Sequence, residues 1–414
     1  MDGSVSRRWL IAAAVIAATP LKTAPQQPGV SIPEDRAVSS ADLSLMQVGR
    51  AASLSTNYLV RVCAPSGMFA YRVDTDTGRV LHSYNVVRHA GAIYALATSN
   101  RNHADHGTVN AMARATAFLR ANYIRADARS KALVVWSQPG TKGSEASLGG
   151  AGLGLLALIS MEQAQPGTIP LMELQSLGRF IGYMQKADGS FYSRYRPESG
   201  LDGDWESLYY PGEATLGLVS LYELDHSQRW LVSAGKALAS LAKSRVGAQQ
   251  LPADHWALIA SAKFLPYYAQ SGCPASRAEL LAHAARICRS ILRDQGTSPD
   301  SRLDGGFDSA GRTTPTATRL EGLLAALEFL PDDVSGLRPQ IQAAVSRGIA
   351  FLLRAQVLSG PYAGGIPLAT IAAAKPGLRA SDIRIDYVQH ALCAWLGYEK
   401  LLRRSASPPS AAAR

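Results

Sequence analysis

Twelve helices in strict alternation predict an all-α fold, a closed double ring with six apolar helices inside and six amphipathic ones outside. Three observations carry this. A helix apolar on every side must be surrounded by protein, whereas an amphipathic one can face water. The first and last apolar helices share a start: Asn85, Val87 and His89 in Asn85–Gly91 match Asp386, Val388 and His390 in Arg384–Ala391. No strand separates successive helices, which excludes a TIM barrel. An open solenoid would need polar capping helices, and the last helix is not polar.

The elements follow in order. Ser40 to about Cys63 has amphipathic spacing, with Leu45, Val48, Ala52 and Leu59 on one side. Residues 67–73 and 79–84 flank an Asp/Gly turn and read as a hairpin. Asn85 is a good N-cap for the apolar helix that follows. Thr108 to Tyr123 is amphipathic. After a polar excursion from Trp136 to Ser147, Gly149 to Met161 is almost wholly apolar and small. Thr168 to Gln185 is amphipathic, and a Gly/Asp-rich loop leads to the apolar helix opened by Pro211-Gly212-Glu213. Ser227–Lys243, Ala275–Gln295 and Leu337–Gln356 are amphipathic. Apolar helices open at Asp254-His255-Trp256, at Thr316–Glu321 and at Arg384. Short β-hairpins and long loops precede the apolar helices, at one mouth of the ring.

The ring domain spans residues 39–404. Residues 1–18 read as an export signal: Ser6-Arg7-Arg8 precede a short apolar run, Leu10 to Ala18, that is too short to span a bilayer. The arginine pair partly matches a twin-arginine signal, and an uncleaved interfacial anchor is the alternative. Residues 19–38 read as a linker and 405–414 as a disordered tail. The expected location is periplasmic or secreted.

Composition narrows the partners. The formal net charge is +10 in 414 residues, yet there is no dense Lys/Arg run and no nucleic-acid motif. An anionic glycan fits better than DNA, and solubility charge alone explains the balance equally well. Cys63, Cys273, Cys288 and Cys393 form no C-x-x-C pair, so a zinc ribbon or redox motif is not expected, and disulfide connectivity stays open.

The helix starts at Tyr84–Gly91, Glu145–Gly149, Tyr210–Gly217, Asp254–Trp256, Thr316–Glu321 and Arg384–His390, with the link Gln185…Asp188–Phe191, resemble the six-hairpin (α/α)6 toroids of carbohydrate-active enzymes over residues 40–403. The resemblance implies a groove at the mouth where the inner helices begin. That fold hosts glycoside hydrolases, polysaccharide lyases, sugar epimerases and terpene cyclases, so it does not choose the reaction. No Asp-rich diphosphate motif supports the last.

The candidate catalytic residues are Glu213, Asp254, Asp386, His89, His255 and His390. Paired carboxylates suit glycoside hydrolysis, with Glu213 as acid, Asp254 or Asp386 as base and Glu145 in reserve. The histidines with Arg88 suit proton abstraction beside a carbonyl, giving epimerisation or elimination. Substrate-binding candidates are Tyr84, Arg88, Glu145, Trp205, Glu206, Tyr210, Trp256, Arg319, Glu321, Arg384 and Tyr387; Tyr209 is a further aromatic that can stack on sugar. The glycine-rich fourth helix is expected to leave room for a ligand. No local motif supports a metal at the histidines, and no cofactor is expected. The leading expectation is an exported hydrolase of an acidic polysaccharide. A lyase or epimerase, and a non-catalytic envelope glycan-binding protein that partners polysaccharide secretion, are the alternatives.

Overall fold

The computed structural model describes residues 43–81, 83–137, 144–332, 336–371 and 379–406. The export segment, the linker and most of the tail lie outside them. Helix α12 runs to Ala406, two residues into the stretch read as tail.

Six inner helices are α2 (Val86–Asn102), α4 (Leu148–Ala164), α6 (Tyr210–Asp225), α8 (His255–Phe264), α10 (Thr313–Ala326) and α12 (Ile385–Ala406). Each packs on the next, and α12 returns to α2, so the inner ring is closed. The outer helices are α1 (Leu45–Val62), α3 (His106–Tyr123), α5 (Leu171–Tyr183), α7 (Gln228–Ser244), α9 (Arg277–Arg293) and α11 (Leu337–Ala355). The expected alternation is therefore the observed one. In α4 every residue from Leu148 to Met161 is buried, as a helix apolar on all sides requires.

Polar caps fix where the helices start. Ser44 and Gln47 form a capping box on α1, and Asn85 accepts from Arg88 N on α2. Ser147 caps α4 and Asp254 caps α8. Helix α10 begins at Thr313, three residues before its expected start, which brings Thr314 and Pro315 into its first turn. Helix α8 ends at Phe264, and a 3-10 turn over Leu265–Gln270 completes the stretch.

The seven short strands all lie in the loops. Strand β1 (Arg72–Val73) pairs antiparallel with β7 (Ile383–Arg384), with Arg72 opposite Arg384. The expected hairpin at 67–84 survives as the turn Asp74–Gly78 and a bridge between Val73 and Val80. An unexpected hairpin, β2 (Ile124–Asp127) with β3 (Ala132–Val135), follows α3. Strand β4 (Ala146–Ser147) joins β5 (Arg194–Arg196) and β6 (Gly200–Asp202) in a three-stranded sheet.

The glycines of α4 do not make room for a ligand. A Cβ on Gly152 would lie 2.6 Å from Ala214 N and 2.7 Å from Glu213 O, so Gly152 lets the backbone of α6 approach. The space beside Gly149 is filled by the side chains of Glu213 and Tyr210. The four cysteines are free thiols, with Cys63 and Cys288 buried.

Gly152→Ala should therefore destabilise the fold by about 1–3 kcal/mol, because backbone cannot move aside as a side chain can. A Cβ on Gly182, in α5, would meet nothing within 4 Å, so Gly182→Ala should be neutral or stabilising by up to about 1 kcal/mol. Urea unfolding of the two variants compares them directly.

Candidate active site

All six inner helices begin at one mouth. A cleft of about 590 Å³ opens there, walled by first-turn residues of α2, α6, α8, α10 and α12 and by Leu153 of α4. A larger cavity of about 690 Å³ opens at the opposite end, where the inner helices finish. Its lysines are already paired, Lys263 with Glu223 and Lys400 with Glu328. The smaller cleft is the candidate site, because five of the buried polar atoms without a partner among the described residues cluster there. Buried atoms without a hydrogen-bond partner include Glu213 Oε2, both ring nitrogens of His255, Thr314 Oγ1 and Arg319 Nε, and all four residues line the cleft. A buried polar group left unpaired costs about 1–3 kcal/mol, so such a cluster marks a place where a ligand supplies the partners.

Two histidines face each other there, with ring centroids 5.7 Å apart. His390 Nδ1 lies 2.6 Å from Glu321 Oε1. Burial would lower the pKa of His390, but the Glu321 carboxylate outweighs it and holds the imidazole above its ordinary value. His390 is therefore the more basic of the two histidines. His255 is buried, and desolvation, then the proximity of His390 and Arg319, holds it well below the ordinary value. It is neutral, with an unshared nitrogen lone pair. Gly322 lets it sit there: a Cβ at that position would lie 2.9 Å from His255 Cα. Tyr209 and Trp256 flank the His255 ring, with centroids at 5.0 and 5.1 Å.

Glu213, in the first turn of α6, is pushed up to about 8 by burial and by the neighbouring charge of Asp254. It is a neutral acid at pH 7. Asp386 is held by Arg384, through Nε and Nη2 at 2.5 and 2.8 Å, and by Arg88 Nε at 3.1 Å. Arg384 lies over the Tyr387 ring.

Several expected site residues are elsewhere. His89 is fully buried between Tyr84 Oη and Ala115 O, at 2.7 and 2.9 Å, and burial lowers its pKa to about 4. It does not line the cleft, and neither does Tyr84, whose hydroxyl also accepts from Phe69 N. Asp254 is fully buried, capping α8 through Ala257 N and bound to Arg245 at 2.7 Å, so it is not a base facing the cleft. Glu145 is engaged by Arg196 and Arg194, and Glu206 by Lys186; neither reaches the cleft. Trp205 sits exposed against Arg194 and the edge of Tyr210. Tyr210, Trp256, Arg319, Arg384 and Tyr387 line the cleft, with Arg88, Glu213, Asp386, His255 and His390. Glu321 lies behind His390. Sequence reasoning missed Asp308, Arg312, Thr314 and Gln389. The early start of α10 hid the first three, although the Thr313-Thr314-Pro315 run is itself a helix-start signal.

His255, Glu321 and His390 each offer a donor atom within 4.8 Å of the others. Two imidazoles and a carboxylate are an acceptable set for a divalent transition ion, so these are the residues that would hold a metal.

The comparisons agree with this architecture. No family model matches the chain, and no curated protein matches it in sequence. The solved structure of cellobiose 2-epimerase from Bacillus thermoamylovorans superposes with a TM-score of 0.64 at 13% identity, covering 86% of this chain and 98% of that one. The fold is the (α/α)6 toroid. An unsaturated glucuronyl hydrolase specific for heparin aligns at TM-score 0.61 and 13% identity, over 87% of this chain and 99% of the other. The α-mannanase of glycoside hydrolase family 76 from Bacteroides thetaiotaomicron aligns at 0.57 and 12%, over 86% and 97%. This chain thus shares its toroid with epimerases and hydrolases of sugars. Among the described residues, no helix is long and apolar enough to cross a membrane.

The raised pKa of Glu213 has a stability consequence. The folded state prefers the protonated acid, so its contribution is fully present below the ordinary value of 4.5 and is lost as pH rises through about 8. Glu213→Gln should raise stability relative to wild type by on the order of 2–4 kcal/mol at pH 8 and by little at pH 4, read as a pH-dependent difference in Tm.

Proposed function

We propose that this protein is a sugar-processing enzyme that moves a proton at the carbon beside a carbonyl, giving an epimer or an aldose–ketose isomer. One observation carries the reading: a neutral His255, with no hydrogen-bond partner among the described residues, faces a His390 backed by Glu321. Neighbouring titratable groups whose pKa values are driven apart are an acid and a base. The epimerases among the structural neighbours add support, as does a D-mannose isomerase with a TM-score of 0.59 at 10% identity.

The steps follow from the geometry. The open-chain form of a reducing sugar binds with its carbonyl in the cleft. His255 takes the proton from the adjacent carbon, and the electron pair of that C–H bond forms the enediolate. Arg88 and the neutral Glu213 are the candidate donors to the developing oxyanion. His390 then returns a proton to the other face of the same carbon, giving the epimer, or to the former carbonyl carbon, the neighbouring hydroxyl proton passing to the former carbonyl oxygen, giving the ketose. With donor atoms of the two histidines within 4.8 Å of each other, one carbon can approach both at about 3 Å.

Paired-carboxylate hydrolysis has less support. Its base would be Asp254, which is sealed behind Arg245, or Asp386, which two arginines hold. Elimination would use the same base and remains an outcome of the test.

The test is incubation of reducing sugars in deuterated water, read by NMR. Wild type should exchange the hydrogen beside the carbonyl and form epimer or ketose, and His255→Asn should lose about 10²–10⁴-fold. New reducing ends from a polymer, or an unsaturated uronic product, without any exchange, would overturn the proposal.

The pH profile gives a second check. The base works above its lowered pKa and the acid below its raised one, so the rate plateau should extend on both sides of pH 6.5. In Glu321→Gln the main group that raises His390 is gone while burial still lowers it, so the alkaline limb should move to lower pH.

A further inference from the structure

We infer that the substrate of this cleft is anionic, a sugar carrying a carboxylate or phosphate, and that Arg88 and Arg384 receive its charged group. The inference rests on the sugar-isomerising reading for the site and goes beyond it to the substrate class.

Charge along the cleft wall does not balance. Four arginines line it: Arg88, Arg312, Arg319 and Arg384. Arg312 is matched by Asp308, and Arg319 by Asp294. The remaining two share one carboxylate, Asp386. Glu213 does not close the gap, because it holds its proton to about pH 8, and the His390–Glu321 pair adds no net negative charge. Among the described residues, one positive charge is thus left uncompensated at the Arg88–Asp386–Arg384 cluster.

That cluster is placed to meet a ligand. The Arg88 side chain is 36% exposed, while that of Asp386 is 6% exposed beneath it. Arg88 uses Nε on Asp386 and Nη1 on the Tyr71 hydroxyl, which leaves Nη2 for the cleft. A guanidinium is a planar fork suited to carboxylate and phosphate. The inner-helix N-termini at this mouth add partial positive charge. The buried, partnerless nitrogens of His255 and Nε of Arg319 show independently that this wall awaits a ligand. A neutral sugar could satisfy those atoms, but it would leave the extra charge unpaired.

The test compares glucose, glucuronate and glucose 6-phosphate as probes, by calorimetry at low and moderate salt. Wild type should bind at least one anionic probe about tenfold or more tightly than glucose, a preference typical of one charge-assisted contact, and added salt should weaken it. Arg88→Met should abolish the preference, and Arg88→Lys should retain part of it. Circular dichroism of both variants separates lost binding from lost folding, and the salt dependence of wild type needs no variant. Equal binding of all three probes by wild type, or a preference that survives both Arg88→Met and Arg384→Met, would overturn the inference. A glucuronate preference alone assigns a carboxylate and a glucose 6-phosphate preference alone a phosphate. The deuterium-exchange assay keeps the two readings apart. Exchange on glucose as fast as on the anionic probes defeats the anionic inference and leaves the reaction standing. Tight anionic binding with no exchange on any probe does the reverse.

Discussion

Helix α12 has to complete the inner ring against α2, and that contact sets the geometry of the cleft. A ring of apolar helices has no free edge only if the last helix meets the first. Here the chain ends it with three fasteners. Gln389 of α12 packs over Gly91 of α2, where a Cβ would lie 2.4 Å from its Oε1. Strand β7, immediately before α12, pairs with β1 just ahead of α2. Asp386, in the first turn of α12, binds Arg88, in the first turn of α2. The last of these joins fold to site, because it brings two arginines to one carboxylate at the mouth. A buried ion pair is weak evidence for stability, since desolvation offsets much of its Coulomb gain. Its value here is placement: register between the first and last inner helices, and a guanidinium directed at the cleft.

The same closure explains why one end of the ring carries unsatisfied groups. Inner-helix N-termini converge there, each with backbone donors that need caps. Side chains in those first turns cannot turn away into water, because the neighbouring inner helices enclose them. Some find protein partners, as Asp254 and Asp386 do. Glu213 and His255 do not, and their protonation shifts toward the neutral form as desolvation requires. The opposite end lacks this tension, since its lysines pair at the surface.

The architecture was legible in the sequence because burial on all sides and burial on one side leave different residue patterns. The cleft was legible as a place, since first turns share one mouth. What the sequence did not carry is rotation about each helix axis. Arg88 and His89 are adjacent, about 100° apart on the helix; one meets the cleft and the other meets Ala115 of α3. Nor could it carry partners from distant segments, such as Arg245 on Asp254. The β2–β3 hairpin escaped notice because its turn gives the left-handed position to Lys131, at φ 52°, rather than to the Gly or Asn that signals such turns.

The three histidines at corresponding helix starts meet three different environments. His89 spends both ring nitrogens on protein partners, and burial keeps it neutral. His390 spends one on Glu321, which holds it above its ordinary pKa. His255 spends none, because Gly322 and the aromatic faces of Tyr209 and Trp256 surround it without offering a hydrogen bond. One residue type in one kind of position thus meets a fully hydrogen-bonded site, a carboxylate partner and a pocket with no partner among the described residues. The difference lies in the neighbouring helix: α3 offers a carbonyl, α10 offers a carboxylate to one histidine and only a glycine to the other. The environment of each histidine is therefore set by the helix that stands beside it, and α10, through Glu321 and Gly322, sets those of both His390 and His255.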